Sequence, residues 1–236
     1  MMTADADKDV VDRKGYDDLF KVDPFLWQEL RKRDPRQVCM NAWIEHEKER
    51  GFRFFFLNQE CLVNPSDQTI LFHEEEGYRR ASFQEALVAL TYIAKSSPIP
   101  PSGRMVTEKE LKGGSLFFQG PHTLLTRPLL NRYSEFPREF VAAGVSLGGT
   151  IHEYGEAAFK LRPLPKVPVC YILYQGDEEF DAAMVVTFDD TIEHHLPLDV
   201  IWALVNVTSV RLMEFVSENF QKTGLFRVRE NDQEVT

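Results

Sequence analysis

The spacing of apolar and polar positions changes several times along the chain, and each change predicts an element. Asp23-Pro24 and Asp34-Pro35 each place a side-chain acceptor at a helix N-cap and a ring-fixed φ at the first helical position. Two short helices are expected, about 24–33 and 35–47. Past Gly51 the period falls to that of strands, in the runs Phe52–Leu57, Glu60–Val63 and Thr69–Phe72. Asn58-Gln59 and Asn64-Pro65-Ser66-Asp67 supply turn chemistry between them, so a three-stranded meander is predicted. Ser82 with Glu85 three residues on is a capping box that opens an apolar helix, Phe83 to Ala94.

A Pro/Ser/Gly linker, Ser96 to Arg104, closes this first unit. Thr107 to Glu110 makes a second capping box, and Gly113-Gly114, Gly120-Pro121 and Gly148-Gly149 then punctuate short helices expected at about 122–132 and 137–146. Strand patterns resume at 157–162, 168–175 and 181–188, the last two joined by Gly176-Asp177-Glu178-Glu179. A long helix at about 198–221 carries Ile201, Leu204, Val205, Leu212, Phe215 and Val216 on one face. The expected fold is therefore α+β: two three-stranded, mainly antiparallel units, each followed by a helix, around a helical middle. Three strands and a helix occur twice, at 52–94 and 157–221, the order a pseudo-duplication would leave, although no residue pattern aligns the copies. A single domain is expected over 15–225, with sub-units 15–96 and 105–225, a polar leader 1–14 and a frayed tail 226–236.

Composition narrows the partners. With 37 acidic against 27 basic residues, the formal charge is −10, so no global field draws the surface to phosphate backbones or anionic lipid. Neither nucleic acid nor membrane is an expected partner. The longest apolar run, from Val200, is broken by Asn206, Thr208 and Ser209, short of the roughly 20 residues a span needs. Met1 to Lys14 has neither a signal peptide's apolar region nor a transit peptide's arginines, which predicts a cytoplasmic protein. Cys39, Cys61 and Cys170 are scattered, without the four-thiolate spacing of an iron-sulfur site, so no such cluster is expected from this chain alone.

Four segments carry candidate chemistry. His122, at the end of GGSLFFQGPH, has the placing of an axial nitrogen ligand to a tetrapyrrole packed on Phe117 and Phe118; the plain alternative is that the phenylalanines are core and His122 lines a loop. Gly148-Gly149 with His152 adds a second glycine loop to the same candidate pocket, but lacks the downstream Lys-Ser/Thr of a phosphate loop. Asp177, Glu178 and Glu179 form either a solvated hairpin turn or a contact for a hard cation or a basic partner. Asp189, Asp190 and His194, beside His195, offer a carboxylate-imidazole set for a divalent metal; equally, an aspartate caps the next helix and the histidines stand on the surface. A strand of eight residues would hold the two acidic groups about 25 Å apart. No Ser/His/Asp order with a strand-to-helix nucleophile elbow and no cysteine-nucleophile signature is expected; the letters Gly144-Val145-Ser146-Leu147-Gly148 fall at the end of the helix expected at 137–146.

The segments GGSLFFQGPHTLL, LGGT at 147–150 and PLPKVPVCYILYQGDEEFDAAMVVTFDDTIEHHLPLDVIWAL at 163–204 resemble the domain-of-unknown-function family numbered 3786. The resemblance marks Gly176, Asp177, Glu178, Glu179, Phe180, Phe188, Asp189, Leu196 and Pro197. It implies anaerobic metabolism in the company of corrinoid and one-carbon enzymes, sometimes beside an iron-sulfur segment whose cysteine motif this chain lacks. Together these features predict a ligand-binding or accessory protein, serving a tetrapyrrole (corrinoid or haem) or a metalloenzyme partner, with a pocket between the central glycine loops and the second sheet. The alternatives are a metal-dependent enzyme using Asp, Glu and His, and an acidic module that meets a basic protein.

Overall fold

Both aspartates cap as their positions predict. Asp23 accepts the Phe25 N–H at 2.8 Å and opens α1 (Pro24–Lys32); Asp34 accepts the Arg36 N–H at 3.0 Å and opens α2 (Pro35–Ala42). The computed structural model describes residues 22–215, so the leader 1–14, the tail 226–236 and Val216 lie outside the described residues. Helix α2 stops five residues before the expected 47, because Trp43 takes a left-handed φ of 54°. The chain then turns into a short edge strand, β1 (Glu45–Glu47).

The first sheet is a five-stranded antiparallel meander rather than a three-stranded one. Its order is β1, β2 (Gly51–Phe56), β3 (Gln59–Asn64), β4 (Thr69–Glu74) and β5 (Gly77–Arg80). The register pairs Phe52 with Val63 and Phe54 with Cys61, which puts Phe52, Phe54 and Phe56 on the buried face and Arg53 and Phe55 on the other. Leu57 and Asn58, both at positive φ (49° and 61°), make the two-residue turn between β2 and β3. The strain at Leu57 has a purpose: its N–H donates to the Pro163 carbonyl at 2.9 Å, fastening this sheet to the other.

The capping box at Ser82 and Glu85 opens α3 (Phe83–Lys95) as expected. The second box, Thr107 with Glu110, opens only one 3-10 turn, after the short edge strand β6 (Met105–Thr107). There follow α4 (Gly114–Phe117), a 3-10 turn at Gly120–His122, α5 (Arg127–Tyr133), α6 (Pro137–Ser146), and β7 (Thr150–His152). Next come β8 (Ala157–Leu164), β9 (Val167–Tyr174) and β10 (Ala183–Asp189), then α7 (Leu198–Glu214). The second sheet is also antiparallel and five-stranded, in the order β6-β10-β9-β8-β7. The architecture is α+β, as the sequence predicts. Each expected three-stranded unit gains two short edge strands.

Helices α3 and α7 pack on each other, β2 of the first sheet touches β8 of the second, and one continuous apolar cluster runs through both halves. Ile201, Leu204, Val205 and Leu212 are buried as their spacing predicts, but so are Val200, Ala203 and Asn206 to Ser209. Helix α7 is thus wrapped on most sides in its middle turns, as a core helix is. Glycine permits the closest packing: a Cβ at Gly144 of α6 would lie 2.3 Å from the Phe159 ring of β8. No helix among the described residues is long and apolar enough to cross a membrane.

Candidate functional site

The segment from Leu111 to Thr126 is shaped by glycine. Gly113 has a φ of 80°, and a Cβ on Gly114 would stand 1.9 Å from the Glu108 carbonyl, so no other residue fits there without moving the chain. The fold this forces buries Phe118 and leaves Phe117 half-buried beside His122. The His122 imidazole stacks on Phe117 with centroids 4.5 Å apart and 23° between planes, and meets the Trp202 ring of α7 edge-on at 5.6 Å. Trp202 is itself fixed, its indole N–H donating to the Thr123 carbonyl at 3.3 Å. Rings rather than hydrogen bonds hold this imidazole among the described residues. Leu116, one residue before Phe117, is 84% exposed. Between this loop and β10 lies a cleft of about 250 Å³, lined by Phe118, Thr123, Leu124, Met184 and Val186.

Gly148, Gly149 and His152 are not part of that surface. Gly149 N–H donates to the Gly144 carbonyl at 3.0 Å and Gly148 N–H to that of Val145 at 2.9 Å, the paired bonds of a Schellman cap that ends α6. His152 stacks on Tyr154 at 5.5 Å, on edge strand β7. Three strand spacings, about 14 Å, separate β7 from β10.

The acidic residues have separate surroundings. The β9–β10 connection is a loop of eight residues, 175–182, longer than the turn expected from Gly176 to Glu179. Asp177 organises it: its Oδ1 accepts the N–H groups of Glu179 and Phe180, both at 2.8 Å, which holds its carboxyl below the ordinary aspartate range. Glu178 and Glu179 face solvent, and Phe180 is 71% exposed rather than anchored. At the far end of β10, Asp189 is fully buried. Burial pushes its pKa up, but the Thr191 hydroxyl at 2.6 Å and the N–H groups of Ser102 (3.0 Å), Gly103 (2.7 Å) and Thr191 outweigh that and hold it below the usual value. Asp189 therefore pins the linker to the strand end and does not cap α7, whose N-cap is Pro197. Asp190 accepts from Ser102 and faces Arg104 at 3.7 Å, and His194 is exposed. Among the described residues, no three His, Cys, Asp or Glu side chains gather as a metal site.

The family model for a domain of unknown function (DUF3786) matches residues 34–211. The chain belongs to this family. No curated protein and no solved structure matches it. The matched stretch takes in both sheets of this DUF3786 domain, the His122 surface and the acidic loop.

Two further clusters in the DUF3786 chain centre on Lys166 and Glu85, neither of which its sequence marks as a candidate site residue. Lys166, in the two-residue turn between β8 and β9, is fully buried. Its ammonium donates to the Asn41 carbonyl at 2.8 Å and the Ser97 carbonyl at 2.6 Å, at the C-terminal ends of α2 and α3, where both helix dipoles favour a cation. Burial lowers its pKa. The Tyr92 hydroxyl ties in the same corner, donating to Ala42 at 2.7 Å and accepting the Lys166 N–H at 3.1 Å. The ring of His195, 1% exposed, meets that of Tyr92 at 6.5 Å, and neither of its nitrogens has a partner among the described residues. The available signal for Lys166 was a single charge inside an apolar run, 163–173.

The second cluster centres on Glu85, 6% exposed. Arg79 of β5 reaches it with both terminal nitrogens at 2.8 Å, Arg211 of α7 at 3.1 Å, and the Ser82 N–H at 2.9 Å. Burial raises the carboxyl's pKa, yet these bonds and charges bring it below the ordinary glutamate range. The sequence identifies Glu85 as a cap only. Its inward arginines come from a polar edge strand and from a helix that reads as apolar.

Proposed function

We propose that this DUF3786 chain is a ligand-binding accessory protein that receives a flat, largely apolar macrocycle of the tetrapyrrole class, corrinoid or haem, on the His122 surface. One observation carries the reading: a half-buried imidazole, stacked on Phe117 and braced by Trp202, is held by rings alone, one residue from Thr123 in the wall of a cleft lined by both apolar and polar side chains. A macrocycle needs apolar contact and one nitrogen ligand; Leu116, Phe117 and Phe118 would supply the first and His122 the second. The cleft, at about 250 Å³, is smaller than the roughly 300–1,000 Å³ of pockets that enclose a drug-sized ligand. The macrocycle would lie across the face, over Leu116 and Phe117, with one edge in the cleft. Quenching of Trp202 fluorescence by haem or cobalamin tests this. His122→Ala should weaken binding at least tenfold and remove the ligand's spectral shift. Folding stability should fall by about 1 kcal/mol, since two ring contacts of one half-buried side chain are lost. Unchanged affinity and spectrum in that variant would remove His122 from the role.

A second reading has its own observation in the 175–182 loop. Asp177 fixes the loop while Glu178, Glu179 and Phe180 point outward, a geometry suited to a basic protein partner. Glu178→Gln with Glu179→Gln should leave stability within about 0.5 kcal/mol of wild type, because both side chains are exposed and uncapped. Chemical denaturation checks the stability. Weakened capture of a basic partner metalloenzyme by the double variant would support this reading.

A further inference from the structure

His195 is a titratable side chain sealed in the fold with no acceptor for a second proton. Its ring is 1% exposed, and neither nitrogen has a partner among the described residues. The groups that face it come from α3, the β8–β9 turn, the end of β10 and its own turn. Tyr92 of α3 meets the ring edge-on at 6.5 Å, with its hydroxyl hydrogen already given to the Ala42 carbonyl. Lys166 of the β8–β9 turn and the neighbouring His194 oppose a positive charge there. Asp189 favours one, but both of its oxygens are engaged, by Ser102, Gly103 and Thr191. A protonated His195 is therefore stable only where water reaches it.

The element that holds the ring can yield. Residues Ile192–His194 form one 3-10 turn, closed by the N–H groups of His195 and Leu196 on the Ile192 carbonyl at 2.9 and 3.0 Å, and so short a turn has little stability of its own. The same stretch anchors the loop that carries His122. Glu193, the acid of this turn, accepts the Lys112 N–H at 2.9 Å. Leu198 lies against Gly113, where a Cβ would stand 3.8 Å from its side chain. One anchor precedes His195 by two residues and the other follows it by three, so a displaced turn disturbs both. Trp202 still tethers the far end of the loop, through Thr123 at 3.3 Å.

We infer that the turn at 191–196 is an acid-operated latch: protonation of His195 brings its ring out to water, and the displaced turn lets go of residues 111–122, which present Phe117 and His122. An imidazole that takes its proton near 6.5 when free and near 4 in place favours the open turn about twentyfold more at pH 5 than at pH 7. The latch belongs to the chain without ligand; that acid also releases a bound macrocycle is a consequence that rests on the reading of the His122 surface given above.

Amide hydrogen exchange of the full, unliganded chain at pH 7 and pH 5, expressed as protection factors, tests the latch apart from any ligand. The Leu196 N–H reports the turn. The Gly114 and Phe118 N–H groups, bonded to the Leu111 and Gly114 carbonyls at 2.9 Å, report the loop, because a helix of four residues does not persist once unpacked. All three should lose protection at least tenfold at pH 5. They should also stay well below Ala89 and Leu90 in the middle of α3, which exchange only when the whole protein unfolds. His195→Leu should hold all three near their pH 7 values, and His195→Gln, equally unable to take the charge, replaces it if the leucine variant does not fold. Loss confined to Leu196, loop protection that tracks α3 at both pH values, an equal loss in the uncharged variant, or no loss in wild type would overturn the inference.

Discussion

Glu85→Gln is expected to lower folding stability by about 3 kcal/mol, an effect of the size found when one partner is removed from a buried ion pair. Glutamine keeps the shape but offers one acceptor where four donors now converge: two from Arg79, one from Arg211 and the Ser82 N–H. Its amide hydrogens would face the guanidinium of Arg79, which is only 26% exposed, lies over the Phe72 ring and has burial working against its charge. The loss combines the removal of the most buried counter-charge of Arg79 and Arg211, which keep only the more exposed Glu74 and Glu214, with a broken capping box. Urea denaturation of wild type and variant measures it. A difference under 1 kcal/mol would mean that the network behaves as a surface ion pair does.

Acid should destabilise the protein in two separate windows, the first belonging to His195. Burial holds its pKa down to about 4, the Lys166 ammonium and His194 push the same way, and Asp189 opposes them. The unfolded chain binds this proton near 6.5 and the folded chain only near 4. The neutral ring's contribution is therefore fully present above pH 6.5 and is lost as pH falls toward 4, on the order of 2 kcal/mol in all. Glu85 and Asp189 have lowered values, so their contribution is present above about pH 4.5 and 3.8 and is lost only at more acid pH. Unfolding free energies at intervals from pH 7 to 4.5 isolate the first window. His195→Leu should flatten it. Lys166→Met should flatten it partly, by removing a like charge, while lowering stability at pH 7 because the Asn41 and Ser97 carbonyls lose their donor. A wild-type profile level from pH 7 to 4.5 would contradict the assignment.

The helix starts at Asp23, Asp34 and Ser82 were legible because each uses a local signal, an acceptor followed by proline or by glutamate three residues on. The central strands were legible for the same reason, since their apolar runs are long enough to show a period. The edge strands were not. Glu45–Glu47 and Gly77–Arg80 are polar, and pair only because a neighbouring strand presents its free edge. Trp43 ends α2 at a left-handed φ that no glycine announces. The sequence suggests a pocket between the central glycine loops and the second sheet; a cleft lined by Phe118 and β10 lies there, while Gly148, Gly149 and His152, expected at the same pocket, sit apart from it on the far side of the sheet order. His195 illustrates the limit most clearly. Next to the exposed His194 it reads as surface, and its burial follows from the turn at Ile192–His194, which rotates it toward Tyr92. Arg79 and Arg211 meet Glu85 across 6 and 126 residues, and only the assembled sheets and helices make that coincidence.

The proposal for the His122 surface is tested most directly by a visible-absorption titration of the full chain with haem and, separately, cobalamin. Saturation at one equivalent, with a band shift that is absent in His122→Ala, is the predicted result for at least one of the two. A spectrum equal to the sum of free protein and free ligand, for both macrocycles across the titration, would contradict it.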